Sequence, residues 1–188
     1  YQKDDGWQSN ELVFDVLPAG HGNYLALWTK KQEVVRLISL FQSAGCDPQQ
    51  ITAAPFAWNM LPGVSADDAL FDGTTLVLLA GGHVSLAVAF SGENRLQQLL
   101  THLTALELSG SALPKRLLFF GEACSESCEA IDLPLPAGTL CLPDDLGGVF
   151  KNEENFQALA SLYAVAVAGH EGRLADFRRG ELACRRDD

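Results

Sequence analysis

The chain is 188 residues long, enough for one large domain or two small lobes, and 47% of it is hydrophobic, which marks a packed globular protein. A formal net charge of −11 argues against nucleic-acid binding, which needs a basic face, and disfavours electrostatic docking of the body to anionic lipid. The acid is uneven: residues 173–188 carry five Arg against four acidic groups, and the rest of the chain carries eight basic against twenty acidic groups.

Residues 1–10, YQKDDGWQSN, read as a polar lead-in. ELVFDVL and YLALWTK follow as strands joined by the turn-rich PAGHGN. Thr29 and Gln32 have capping-box spacing, which predicts a helix from Lys30 with Val34, Leu37, Ile38 and Phe41 on one buried face. Gly45 is its expected stop. QITAAPF then reads as a short strand, and strand, helix and strand in this order predict a parallel α/β unit. Pro62, Gly63 and Gly73 punctuate NMLPGVSADDALFDG, a polar break that divides the chain into residues 1–62, the remainder of a first lobe, and 63–188, a second.

The second lobe opens with a hairpin, strands 74–79 and 83–90 meeting at Gly81-Gly82, with SGEN as its closing turn. Leu96, Leu99, Leu100, Leu103 and Leu106 mark an amphipathic helix, and RLLFFG is the next strand. The Pro- and Gly-rich stretch after it holds one short strand at TLCL. Asn152 caps a helix through Phe156, Leu159 and Tyr163 to Gly169, with Glu153 and Glu154 suiting its dipole. LADFRRGEL reads as a last strand entering a turn at Arg179-Gly180. Its flanking Arg residues suit a solvated terminal strand or a juxtamembrane segment; no apolar run reaches the ~18–20 residues that span a bilayer.

Chemistry-bearing residues are dispersed. Cysteines at 46, 124, 128, 141 and 184 form no zinc-ligand pattern and suggest reduced thiols; CSESC has no completing pair. His21, His83, His102 and His170 fall in four different elements, and only His83 borders a plausible site. Ser125, Ser127 and Cys128 sit in an acidic loop that disfavours a thiolate, and Asp67-Asp68 and Asp144-Asp145 flank turns. No phosphate-loop, nucleophile-elbow or dinucleotide fingerprint is present, so no catalytic or metal residue is assigned.

The helix-to-strand stretch EVVRLISLFQSAGCDPQQITAAPFAW, the glycine hairpin, RLLFFGEA and LADFRRGELA together resemble the actin-like ATPase superfamily. Within it they resemble the cytoplasmic domain of inner-membrane platform protein L of type II secretion systems and its type IV pilus relative PilM. The resemblance implies a two-lobed α/β fold of ribonuclease H-like architecture, with its N-terminal part outside these residues. In nucleotide-hydrolysing members the hairpin resembles Asp-x-Gly-Gly-Gly-Thr-Thr. Aligned on Gly81, Gly82 and Ser85, this chain has Leu79 for the acid, and the adenosine loop is reduced to Gly121 followed by Glu122. The resemblance therefore implies a degenerate site, no cofactor and no enzymatic activity. It implies a scaffold at the cytoplasmic side of the bacterial inner membrane, bound to the N-terminal domain of the secretion ATPase and to other platform proteins. A membrane helix beyond Asp188 and a homodimer belong to the same expectation. The alternatives are a PilM-like protein binding a partner peptide, or an actin-fold ATPase whose catalytic acid lies elsewhere in the polypeptide. Trp7, Trp28 and Trp58 are candidate partner contacts.

Overall fold

The computed structural model describes residues 11–20, 22–124 and 132–184; Trp7, His21, Ser125, Ser127 and Cys128 fall outside them. Side chains of period two give an antiparallel hairpin, β1 (Leu12–Gly20) and β2 (Asn23–Lys30), with Phe14 opposite Trp28 and Val16 opposite Ala26. Odd-numbered residues such as Leu17, Leu25 and Leu27 turn inward, and even-numbered ones turn to solvent.

Helix α1 (Lys31–Ser43) buries Val34 and Ile38 but leaves Leu37 and Phe41 exposed, so the predicted face is half used. The capping box does not form: Lys30 is the N-cap, and Thr29 is still paired with Val13 in the hairpin. The helix stops at Gly45, φ +76°, in a Schellman motif: Gly45 N–H donates to Gln42 O and Cys46 N–H to Phe41 O.

Two expected strands are absent among the described residues. QITAAPF pairs with no strand: Ala53 is extended, and the chain then winds into a 3-10 helix, Ala54–Met60, started by Pro55, which has no N–H for a ladder. LADFRRGEL joins no sheet and ends in a 3-10 turn at Gly180–Leu182; carboxylates hold its backbone instead. Asp176 N–H donates to Asp15 Oδ2 (2.8 Å), Ile51 N–H to Asp176 Oδ1 (3.2 Å) and Phe177 N–H to Ile51 O (2.8 Å). The parallel strand–helix–strand unit is thus replaced by a hairpin, a helix and this C-terminal strap, which inserts Ala175 and Phe177 beside Leu27, Val34 and Ile38.

The main sheet has the order β5-β4-β3-β6-β7, from β3 (Ala69–Phe71), β4 (Thr75–Ala80), β5 (His83–Ala89), β6 (Leu117–Phe119) and β7 (Ala137–Thr139). β3 is antiparallel to β4 and parallel to β6, which is parallel to β7. The segment read from sequence as a polar break therefore contains the central strand. Asp67 and Asp68 precede it and Asp72 follows it, and those acids hide a three-residue strand from any period count. β7 forms at AGT, just before the expected TLCL.

Side chains alternate across this sheet. Leu70, Leu118 and Phe120 pack against Trp58 and helix α3 (Glu153–His170), whose Ala160, Ala164 and Ala168 recur at i+4 and let the 3-10 helix approach closely. Phe71, Leu76, Leu117 and Phe119 pack against Leu99 and Leu103 of helix α2 (Arg95–Leu108). Asn152 caps α3 as its sequence suggests, accepting from Asn155 N–H at 2.8 Å. Core membership crosses residue 62 in both directions: Ala57 and Trp58 pack with α3, and the strap packs with β2 and α1.

Phe71 is fully buried at the sheet centre, so Phe71→Ala is expected to cost about 3–5 kcal/mol in urea unfolding, against less than about 0.5 for Leu108→Ala on the exposed end of α2.

Candidate functional site

The β4–β5 turn has the backbone its glycines suggest, with Gly81 at φ +58° and Gly82 at φ +81°. No acid adjoins it in sequence, but the fold supplies one from fourteen residues upstream. Gly81 N–H donates to Asp67 Oδ1 at 3.1 Å, and Gly82 N–H donates to Ala66 O at 2.8 Å. Lys115 pairs with the same carboxylate at 2.8 Å, and that contact, with the Gly81 amide, holds the Asp67 carboxyl below its usual range. Ser85 donates its hydroxyl to Leu78 O at 3.0 Å. Each donor aligned with phosphate contacts is thus engaged by the protein itself, and a carboxylate lies where an incoming anion would have to go.

The sheet topology also separates the residues that the sequence paired. β4 runs antiparallel to β3, so Gly81-Gly82 lies beside Ala66 and Asp67, at the start of β3. Gly121 follows β6 and lies beside Asp72, at the end of β3: a Cβ on Gly121 would stand 3.8 Å from Asp72 O. Gly81, Gly82 and Ser85 therefore share no site with Gly121 and Glu122. The carboxyl ends of parallel strands are the usual place for a ligand in such sheets. Here the loop after β3, Asp72-Gly73-Thr74-Thr75, lies next to the loop after β6, where a Cβ on Gly73 would meet Ala123 N at 3.4 Å.

Asp72-Gly73-Thr74-Thr75 is the better match to Asp-x-Gly-Gly-Gly-Thr-Thr, shortened by three residues. The signal was present in LFDGTTL, and the longer glycine hairpin downstream obscured it. Shortening closes the loop on itself. Asp72 Oδ1 accepts from Thr74 N–H (2.8 Å), Thr75 N–H (2.7 Å) and the Thr74 hydroxyl (2.9 Å). The adjoining loop is filled in the same way: Gly121 N–H donates to Gln157 Oε1 at 2.9 Å. Gln157 Nε2 in turn donates to Glu153 Oε1 at 2.7 Å, and Glu153 Oε2 accepts from Leu142 N–H at 2.9 Å.

A cleft of about 590 Å³ lies at the other end of the sheet, between β1, the Gly81-Gly82 turn and the strap. His83, Asn59, Arg173 and Arg179 line it, and both arginines are ion-paired, Arg179 with Asp15 (2.8 Å) and Arg173 with Glu171 (3.2 Å). Among the described residues no nucleophile–base pair lines it. His102, expected away from the leucine stripe, packs edge-on to Phe90 at 6.2 Å, and His170 ends α3. Cys46 and Cys141 are exposed, and among the described residues no group of three His, Cys, Asp or Glu could hold a metal. Trp58 is buried, donating Nε1–H to Ser161 Oγ at 2.9 Å, and Trp28 is exposed.

No protein-family model matches the sequence, and no curated protein matches it significantly. Among solved structures it is similar to cyto-EpsL, the cytoplasmic domain of EpsL, an inner membrane component of the type II secretion system of Vibrio cholerae. The TM-score is 0.56 at 13% identity, over 97% of this chain and 67% of that one. The chain shares that fold, in agreement with the resemblance read from sequence. No helix among the described residues is long and apolar enough to cross a membrane.

Asp72→Ala removes the acceptor of three donors and is expected to lower stability by about 1–3 kcal/mol in urea unfolding. An acid held ready for a ligand would instead leave the unliganded protein as stable or more stable when removed. In the strap, hydrogen bonds from Arg178 hold the Asp47 carboxyl well below its usual range. A depressed folded-state pKa stabilises above the unfolded value near 3.8, and that contribution is lost as pH falls through the lower folded value. Amide exchange at Phe177 and Arg178 is therefore expected to quicken, relative to Phe71, below about pH 4.

Proposed function

We propose that this chain is a non-enzymatic scaffold on the cytoplasmic side of the inner membrane in a type II secretion system. In this reading it binds the N-terminal domain of the secretion ATPase and couples it to the other platform proteins. The observation that bears most weight is a likeness to cyto-EpsL over nearly the whole chain, combined with phosphate-type loops whose donors are occupied by Asp67, Asp72 and Gln157. The same combination favours a degenerate actin-like fold over a working ATPase. Transition-state charge on a transferring phosphoryl group needs free amides and a metal-orienting acid, and here the acid is spent on its own turn.

Charge suits the scaffold role. Outside the strap the body is strongly acidic, which would steer a basic patch on a partner toward it and set the rate of encounter more than the final affinity. The Asp15–Arg179 and Asp47–Arg178 pairs tie the C-terminal strap to the hairpin lobe, so a pull on the strap would be passed to that lobe through ionic contacts.

Association with the ATPase N-terminal domain is expected at low salt and should weaken about tenfold, chiefly through a slower on-rate, when salt is raised to screen the acidic body. Surface plasmon resonance across a salt series checks this, and absence of binding at low salt with both partners folded would overturn the assignment.

A further inference from the structure

The cleft of about 590 Å³ beside the Gly81-Gly82 turn has no part in the scaffold reading, and its walls come from three separate parts of the fold. The hairpin contributes Leu17 and Pro18, the 3-10 helix and β5 contribute Phe56 and His83, and the strap contributes Arg173, Leu174 and Arg179. Much of the polar lining is not used by the protein. A guanidinium carries five N–H donors. Arg179 gives Nη1 to Asp15 Oδ1 at 2.8 Å and makes no other ion pair or hydrogen bond among the described residues. Arg173 gives Nε to Glu171 at 3.2 Å and Nη1 only to the weak acceptor Met60 Sδ at 4.0 Å. The His83 ring lies against Gly20, where a Cβ would stand 3.1 Å from its Cδ2, and among the described residues neither ring nitrogen has a hydrogen-bond partner.

We infer that this cleft binds a small amphiphilic monocarboxylate, its carboxylate on the unused donors of Arg173 and Arg179 and its short apolar body against Leu17, Phe56 and Leu174. Three features select this class. The first is geometry: a planar guanidinium fork matches a carboxylate through paired N–H···O bonds. The second is charge. The two arginines are offset by Asp15 and Glu171, so the cleft suits a single negative charge. A polyphosphate would bring several charges and find no free amide, because Gly81 and Gly82 N–H are held by Asp67 and Ala66. The third is space: the volume falls within the roughly 300–1,000 Å³ of small-ligand clefts, and the lining is part apolar. Asp15 tolerates a turn of Arg179 toward the ligand, because it also accepts from Val16 N–H and Asp176 N–H, each at 2.8 Å. A ligand seated there touches hairpin, sheet and strap together, so its occupancy fastens the strap.

This inference does not depend on the ATPase-binding reading. An NMR titration of the isotope-labelled chain with sodium hexanoate tests it. Hexanamide keeps the apolar body without the charge, acetate keeps the charge without the body, and both serve as comparisons. Hexanoate is expected to saturate at roughly millimolar concentration, with shifts concentrated at the amides of Leu17, His83 and Leu174, and to slow amide exchange at Asp176 and Phe177. Hexanamide and acetate should each bind about tenfold more weakly or less. Arg179→Gln should weaken hexanoate about tenfold. Lys151→Gln removes the same charge at the opposite end of α3 and should leave binding unchanged. If Arg179→Gln loosens the strap, Arg173→Gln, whose partners Glu171 and Met60 lie outside the hairpin, serves in its place. No saturable shift with hexanoate overturns the inference. Hexanamide binding as tightly as hexanoate, shifts concentrated elsewhere, or hexanoate affinity unchanged in both arginine variants overturns it as well.

Discussion

The structure depends on a three-residue strand being carried through the middle of a sheet between carboxylates. Ala69, Leu70 and Phe71 are completely buried, and the strand can be that short because its neighbours on both sides complete its ladder. The acids at its ends are structural parts. Asp68, 1% exposed, accepts a forked pair from Arg116 at 2.9–3.1 Å and the Ser65 N–H at 2.6 Å. Asp67 closes the β4–β5 turn and Asp72 closes the β3–β4 turn. A buried carboxylate is tolerable only when its lone pairs are engaged, and here engaging them also fixes the register of β3 against β4 and β6.

That constraint has a functional consequence. The turn at the carboxyl end of β3 is where a sheet of this topology presents backbone amides to a ligand, and in this chain Asp72 accepts from those amides; at the other end of the strand Asp67 accepts from Gly81. Gln157 does the same for the loop after β6. The chain thereby keeps the shape of a ligand-binding sheet while its donors are satisfied internally, and what remains open to partners is surface. That surface has two characters: a strongly acidic body, and a neutral, apolar hairpin lobe bound to it through the strap.

Much of this was legible in the sequence where periodicity was long. The hairpin 12–30, the leucine helix and the Asn152-capped helix follow directly from periods of two and 3.6 and from one cap. Short segments were not legible, because three residues carry no period: β3 disappeared between acid pairs, and β7 was displaced by two residues. QITAAPF and LADFRRGEL have strand-like composition, but Pro55 interrupts one, and the other takes its hydrogen bonds from Asp15 and Ile51. Topology, like the short strands, is not written in composition. Gly81-Gly82 has the composition of a phosphate turn, and only topology shows that it lies at the start of the central strand, away from Gly121. Asp72-Gly73-Thr74-Thr75, shorter and less glycine-rich, lies at the carboxyl end of that strand, beside the loop that holds Gly121.

The proposed scaffold reading requires that Asp67, Asp72 and Gln157 keep the amides of these loops from a nucleotide. Calorimetric titration of the purified chain with magnesium-ATP tests it most directly. The account predicts no saturable heat up to millimolar nucleotide. A saturable isotherm would contradict it, because binding would then require Asp67, Asp72 or Gln157 to release the amides they hold.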